Sequence, residues 1–300
     1  MYVQVPCVDF DRSVAFYVDE LELFEVGDDH TYTGDDALAR MKRDGNVYLR
    51  LRDEPRCGIV LVHAPNVDAT ADTHERLWLE TPGIEALYRR VSAAPLASGA
   101  TIRLALLDTP MGDIFSMLDP AGNRVDFISA LDPAYGGLTW GEPGSLEGEE
   151  ETSVGTYVQV PCADFERSFA FYVDELELFE VGGRREHKSD DALERMKRHG
   201  HVYLRLRAQP RCGITLVVVP DVGPTADAEA RIELRVPHVE ALYRPVSAAP
   251  LASGATIRFP LRSTPVGHTF SLLDPWGNPV DFTNAIDPAS GGTRGREAPG

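Results

Sequence analysis

Leu118–Phe127 reads LDPAGNRVDF, and Leu273–Phe282 reads LDPWGNPVDF. In each stretch a strand end runs into a DPxGN turn and out into a short alternating strand. Asp, Pro, Gly and Asn each favour turns, for different backbone reasons. Past the turn, Val125 and Phe127 share one side of the strand while Arg124 and Asp126 share the other. The stretch predicts a hairpin with an apolar back and a carboxylate on its front.

The echo of this hairpin extends along the whole chain. An offset of 155 residues converts the first half into the second without a gap, as in Tyr2/Tyr157, Asp9/Asp164 and Asp126/Asp281. Ser92–Arg103 and Ser247–Arg258 are identical. A duplication of this kind predicts two domains of one fold, residues 1–132 and 157–287. Between them, residues 133–156 have the Gly- and Glu-rich composition of a solvated linker, and residues 288–300 read as a disordered tail.

Within the first copy, Tyr2–Cys7 alternates as a strand, and Asp9 can cap a helix running to Glu20. Strands follow near Phe24–Val26, Val47–Arg52 and Gly58–His63. The plan then restarts with strand Arg76–Glu80, helix Ile84–Ala93 and strands near Thr101–Leu107, Asp113–Leu118 and Arg124–Ser129. Each copy is thus two βαβββ modules, an α+β fold in which helices back a cupped, mostly antiparallel sheet and leave its inner face free.

Composition narrows the functions. The 300 residues are 43% hydrophobic and carry a formal charge of −18. That charge argues against nucleic acid as a partner. No apolar run approaches the ~20 residues of a membrane span, and no leader precedes the first strand, so a cytoplasmic location is expected. Cys7, Cys57, Cys162 and Cys212 form no CxxC motif; buried thiols are expected rather than a disulfide framework. No two of the eight histidines are related by the repeat offset.

The opening VQVPCVDFDRSVAFYVDELELF resembles that of vicinal oxygen chelate proteins, the superfamily of glyoxalase I, bleomycin-resistance proteins and extradiol dioxygenases. The matching residues are Asp9, Ser13, Phe16, Tyr17 and Leu21, with Glu22 where the family has Gly. LDPAGNRVDF is similar to the family's closing DPxGNxxE. The resemblance implies four inward metal ligands per cup. Carried over, those positions are Tyr2, about Val60, Arg76 and Asp126, repeated as Tyr157, about Thr215, Arg231 and Asp281. An Arg in a metal shell repels the cation, so no metal and no cofactor are expected. His74 and its counterpart Glu229 are the exceptions to watch.

With Tyr2, Arg76 and Asp126 inward, the first copy is expected to line its own cup with Tyr2, Gln4, Arg76, Trp78, Glu80, Arg124 and Asp126, joined by Tyr48, Arg50 and Arg103. The second copy offers Tyr157, Gln159, Arg231, Glu233, Arg235 and Asp281, with Tyr203, Arg205 and Arg258. Arg76 and Arg231 are expected to pair with Asp126 and Asp281. The favoured function is metal-free binding of an aromatic natural product or antibiotic, with a cationic ring preferring the cup that holds Trp78. The alternative is a lyase, isomerase or cyclase of secondary metabolism, with Asp126 or Glu80 as base and Arg76 stabilising an anion. A metal-dependent glyoxalase or dioxygenase is a third reading. The chain is expected to be a monomer with pseudo-twofold symmetry, taking a small-molecule ligand and no membrane partner.

Overall fold

A computed structural model describes residues 1–27, 32, 34–65, 76–109, 112–129, 155–182, 190–219, 232–264 and 267–284. The expected tail and most of the expected linker lie outside these residues, as do His74, Glu229 and Arg231. The first module comprises β1 (Tyr2–Cys7), α1 (Phe10–Val14), β2 (Phe24–Val26), α2 (Ala37–Arg43), β3 (Asn46–Leu51) and β4 (Gly58–His63). The second comprises β5 (Arg76–Glu80), α3 (Ile84–Ser92), β6 (Thr101–Thr109), β7 (Gly112–Leu118) and β8 (Arg124–Ile128).

The second copy repeats the order: β9 (Gly155–Cys162), α4 (Phe165–Phe169), β10 (Phe179–Val181), α5 (Asp190–Arg198), β11 (His201–Leu206) and β12 (Gln209–Val218). Its last module holds β13 (Ile232–Arg235), α6 (Val239–Ala248), β14 (Thr256–Thr264), β15 (Gly267–Leu273) and β16 (Pro279–Thr283). Asp9 caps α1 as expected, accepting from the backbone N–H of Asp11 and Arg12 at 2.9 and 3.2 Å. The predicted helix to Glu20 is realised as α1 followed by a π-helical segment, Ala15–Glu20.

The strands form two eight-stranded sheets, and each takes one module from each copy. One runs β14-β15-β16-β13-β1-β4-β3-β2, the other β10-β11-β12-β9-β5-β8-β7-β6. This corrects the expectation that each copy lines its own cup. The module edges β1 and β5 pair antiparallel with β13 and β9, with Tyr2 opposite Glu233 and Trp78 opposite Tyr157. Inside each sheet β1/β4, β5/β8, β9/β12 and β13/β16 are parallel and the outer pairs antiparallel.

The DPxGN turns hold the two modules of one copy together. Asp119 Oδ1 accepts from the backbone N–H of Ala121 and Asn123 at 2.8 and 2.9 Å. Its Oδ2 accepts from the Tyr17 hydroxyl at 3.0 Å and from Asn123 Nδ2 at 2.8 Å. Asn123 Nδ2 also donates to the Pro6 carbonyl at 2.7 Å. Asp274, Asn278, Tyr172 and Pro161 repeat the arrangement. Gly122 and Gly277 sit at φ +86° and +90°, a conformation that favours glycine at this turn.

The outward set Val3, Val5, Leu77, Leu79, Val125 and Phe127 is fully buried under the helices, as the alternation requires. Stacked rings Phe115/Phe127 and Phe270/Phe282, 4.4 and 4.5 Å apart, repeat the core in each half. Two cysteines depart from expectation. Cys57, just before β4, and Cys212, in β12, form a disulfide that joins the two sheets at equivalent positions, with Cα atoms 6.5 Å apart. The local sequence could not show this, because only the pairing across copies brings the two together. Cys7 and Cys162 are buried free thiols, as expected, and burial raises the pKa of each to about 12.

Candidate functional site: two composite cups

The cross-copy pairing rebuilds both sites. In the Glu233 cup, adjacent strands bring Ser271, Asp281, Glu233 and Tyr2 into one row across β15, β16, β13 and β1. Gln4 Nε2 donates to Asp281 Oδ2 at 3.3 Å. Glu233 is 9% exposed, and its carboxyl is pushed up from the ordinary value, first by burial and then by the Asp281 charge, against the pull of Arg235. Arg235 Nε lies 3.5 Å from Glu233 Oε1. Its guanidinium rests 4.6 and 4.9 Å above the rings of Tyr2 and Tyr48.

Above this row opens a cavity of about 260 Å³, bounded by Tyr48, Glu233, Asp281, Ser271, Thr269, Thr283, Phe259, Phe270, Arg262 and Thr264. Sequence reasoning found Tyr48, Glu233 and Asp281 and missed the rest. Ser271 was available by parity, being the β15 partner of Asp281. Phe259 and Arg262 were not, because register shifts in β14 on either side of Phe259 break the alternation there.

The other sheet forms the Trp78 cup, whose lining side chains Tyr157, Tyr203, Thr215, Ser116 and Asp126 are buried. Tyr203, Thr215 and Gln159 face one another across β11, β12 and β9, and Tyr157, Trp78, Asp126 and Ser116 continue the face across β9, β5, β8 and β7. The Trp78 and Tyr157 rings lie 6.2 and 6.1 Å from Tyr203. Burial, and then the charge of Glu80, push both phenols up. Glu80 itself is 4% exposed.

Asp126 is bound on one oxygen. Its Oδ1 accepts from Arg124 Nε at 2.7 Å and from the Ser116 hydroxyl. Arg124, two residues away on the same face, is its described ionic partner. The side chain of Arg76 is not among those described. Arg50 and Arg205 do not face a ligand freely; each is paired on the neighbouring strand with Glu25 or Glu180, at 2.6 and 2.7 Å. Arg103 is exposed on the edge strand β6.

The two halves of the expected site are therefore redistributed. Tyr2, Gln4, Tyr48 and Arg50 share a sheet with Glu233, Arg235 and Asp281. Tyr157 and Gln159 share one with Trp78, Glu80, Arg103 and Asp126. The strand pairings put Glu233 and Trp78 at the centre of each face.

No family model and no curated protein matches the sequence. Among solved structures, glyoxalase I from Zea mays is 17% identical, covering 94% of this chain and 91% of that chain with a TM-score of 0.60. A Bacillus subtilis protein with a provisional dioxygenase assignment is 10% identical, covering 95% of this chain and 84% of that one with a TM-score of 0.57. The chain has the vicinal oxygen chelate fold.

That fold raises the question of a metal, and the donor sets answer poorly to one. Among the described residues no three His, Cys, Asp or Glu side chains gather to hold an ion. The Glu233 cup offers two carboxylates, one already facing a guanidinium and the other a Gln amide. The Trp78 cup offers two carboxylates, Glu80 and Asp126, the latter with one oxygen bound by Arg124 and Ser116. Neither is the four-ligand shell that the sequence resemblance implies. Among the same residues no helix is long and apolar enough to cross a membrane.

Proposed function

We propose that the chain is a metal-free small-molecule-binding protein and that the Glu233 cup is its working site. The ligand is an aromatic molecule of natural-product or antibiotic type. The observation that carries this reading is the cavity itself: a concave space with the rings of Tyr48 and Phe259 on its walls and two adjacent carboxylates at its base. Apolar walls with a few convergent polar groups are the usual form of a small-ligand site. Its 260 Å³ suits a compact ligand of one or two rings. This reading moves the ligand away from Trp78, where the sequence alone had placed it.

A panel of compact aromatic amines, acids and neutral compounds tests the proposal by thermal shift, since a ligand bound only by the native state raises the melting temperature. A shift that survives chelation supports metal-free binding. Loss of the shift on chelation, restored by a divalent metal, overturns it.

One observation favours a second, enzymatic reading. A buried carboxyl whose pKa is raised beside a second carboxylate is suited to proton transfer. On this reading Glu233 is the acid–base group of a metal-independent lyase or isomerase, in place of Asp126 or Glu80. Solvent deuterium exchange into a bound ligand at a carbon-bound position distinguishes turnover from binding.

A further inference from the structure

The charges around the cavity are sorted by position. The carboxylates of Glu233 and Asp281 lie at its base, and Arg235 beside them leaves one net negative charge when both are ionised. Arg262 bounds the same cavity from the edge strand β14. Three strand spacings, about 14 Å between backbones, separate β14 from β13. Phe259, on β14 itself, has the guanidinium groups of Arg258 and Arg262 4.9 and 5.4 Å from its ring.

Arg262, like Arg258 on the same strand, differs from four ion-paired arginines of the two sheets. Arg50, Arg124, Arg205 and Arg235 each meet a carboxylate. Among the described residues, the contact found for Arg262 is the Phe259 ring, with no ion pair. A guanidinium held on an aromatic face keeps its N–H groups free for a bidentate anion.

The duplication supplies an internal control. At the offset of 155 residues, Glu233, Phe259 and Arg262 correspond to Trp78, Leu104 and Leu107. Trp78, Leu104 and Leu107 thus remove one carboxylate, the ring and the cation from the equivalent positions, while Asp281 keeps a counterpart in Asp126. The three departures from symmetry coincide around the Glu233 cavity.

We propose that the Glu233 cup selects a zwitterion: a compact aromatic molecule whose ammonium or amidinium end meets Glu233 and Asp281 and whose carboxylate end meets Arg262. The proposal rests on the reading that this cup binds a small molecule, and names the class of that ligand. Phe259 takes the face of the ring, and the threonines of β14, β15 and β16 supply hydroxyls between the two ends.

Four probes of one shape test it by calorimetry on the full chain: 4-(aminomethyl)benzoate, 4-methylbenzylamine, 4-methylbenzoate and neutral 4-methylbenzyl alcohol. The zwitterion is expected to bind about ten-fold or more tighter than either singly charged probe, the scale of one charged contact. Arg262→Leu, which installs the residue of the other copy at an exposed position, should reduce the zwitterion to the affinity of the amine and leave the amine unchanged. Glu233→Gln should weaken the zwitterion and the amine but not the acid. Equal binding of the zwitterion and the alcohol overturns the zwitterion proposal while leaving small-molecule binding intact. Failure of all four probes overturns both. An unchanged zwitterion affinity in Arg262→Leu, with an unaltered melting temperature, removes Arg262 from the site.

Discussion

Tyr2 of the first copy stands directly opposite Glu233 of the second, as neighbours across β1 and β13. The equivalent contact, Trp78 opposite Tyr157, closes the other sheet. Each cup is thus a product of both copies. A change in one copy alters the cup completed by the other.

This arrangement predicts how a single copy behaves. Residues 1–132 alone would expose the β1 and β5 edges that β13 and β9 cover in the intact chain, and open edges of this kind pair with another chain. We expect the isolated first copy to be a dimer by light scattering and the intact chain a monomer. A stably folded monomeric copy, or an intact chain that is a tight dimer, would count against the composite sheets.

Glu233 should govern part of the pH dependence. Its folded pKa is raised, so between the unfolded value and the folded one the native state binds more protons than the unfolded chain. Its contribution to stability is therefore present below the unfolded pKa and is lost as pH rises through the folded pKa. Glu233→Gln, which mimics the protonated form, should flatten the fall in denaturation midpoint across that window and raise stability at neutral pH. Parallel pH profiles for the two proteins would refute the assignment.

Glu22 and Glu177 occupy the left-handed region at φ +56° and +55°, where the vicinal oxygen chelate sequences that this chain resembles have Gly. Arg90 steadies the first, donating to Glu22 at 2.7 Å and to the Leu21 carbonyl at 2.5 Å. The counterpart of Arg90 is Pro245, which has no side-chain donor. Relief of a left-handed non-glycine residue is worth roughly 1 kcal/mol. Glu177→Gly should approach that gain, and Glu22→Gly should fall short of it because a paired side chain is lost. Equal effects in chemical denaturation would show that Arg90 contributes nothing.

The Cys57–Cys212 bond crosses between the two sheets, next to Gly58 and Gly213, which pair with Tyr2 and Tyr157. Its loss should cost about 2–4 kcal/mol. Replacing both cysteines by serine, or reducing the protein with a dithiol, should lower the melting temperature by the same amount. A reduced wild type that melts higher than the double variant would mean that the thiols themselves, and not the bond, stabilise the junction.

Much of the fold was legible because the alternation is strict. Val125 and Phe127 against Arg124 and Asp126 announce the two faces of β8, and the DPxGN residues announce the turn that Asp119 organises. Module pairing was not legible, for a physical reason: β5 and β13 are near copies of one another, so either could satisfy the edge of β1. The site suffered accordingly. Tyr2, Gln4, Glu233 and Asp281 were all identified as inward, yet Tyr2 and Gln4 were assigned to a different cup from Glu233 and Asp281. Phe259 and Arg262 were hidden by the β14 register shifts, and the disulfide by the same ambiguity of pairing.

The central claim is that the composite Glu233 cup, and not the Trp78 cup, holds the ligand. Calorimetric titration of the aromatic amine that gives the largest thermal shift tests it most directly, in the wild type and in Glu233→Gln and Trp78→Ala. The account predicts one site per chain, weakened about ten-fold or more in Glu233→Gln and unchanged in Trp78→Ala. Unaltered binding in Glu233→Gln together with lost binding in Trp78→Ala would contradict it.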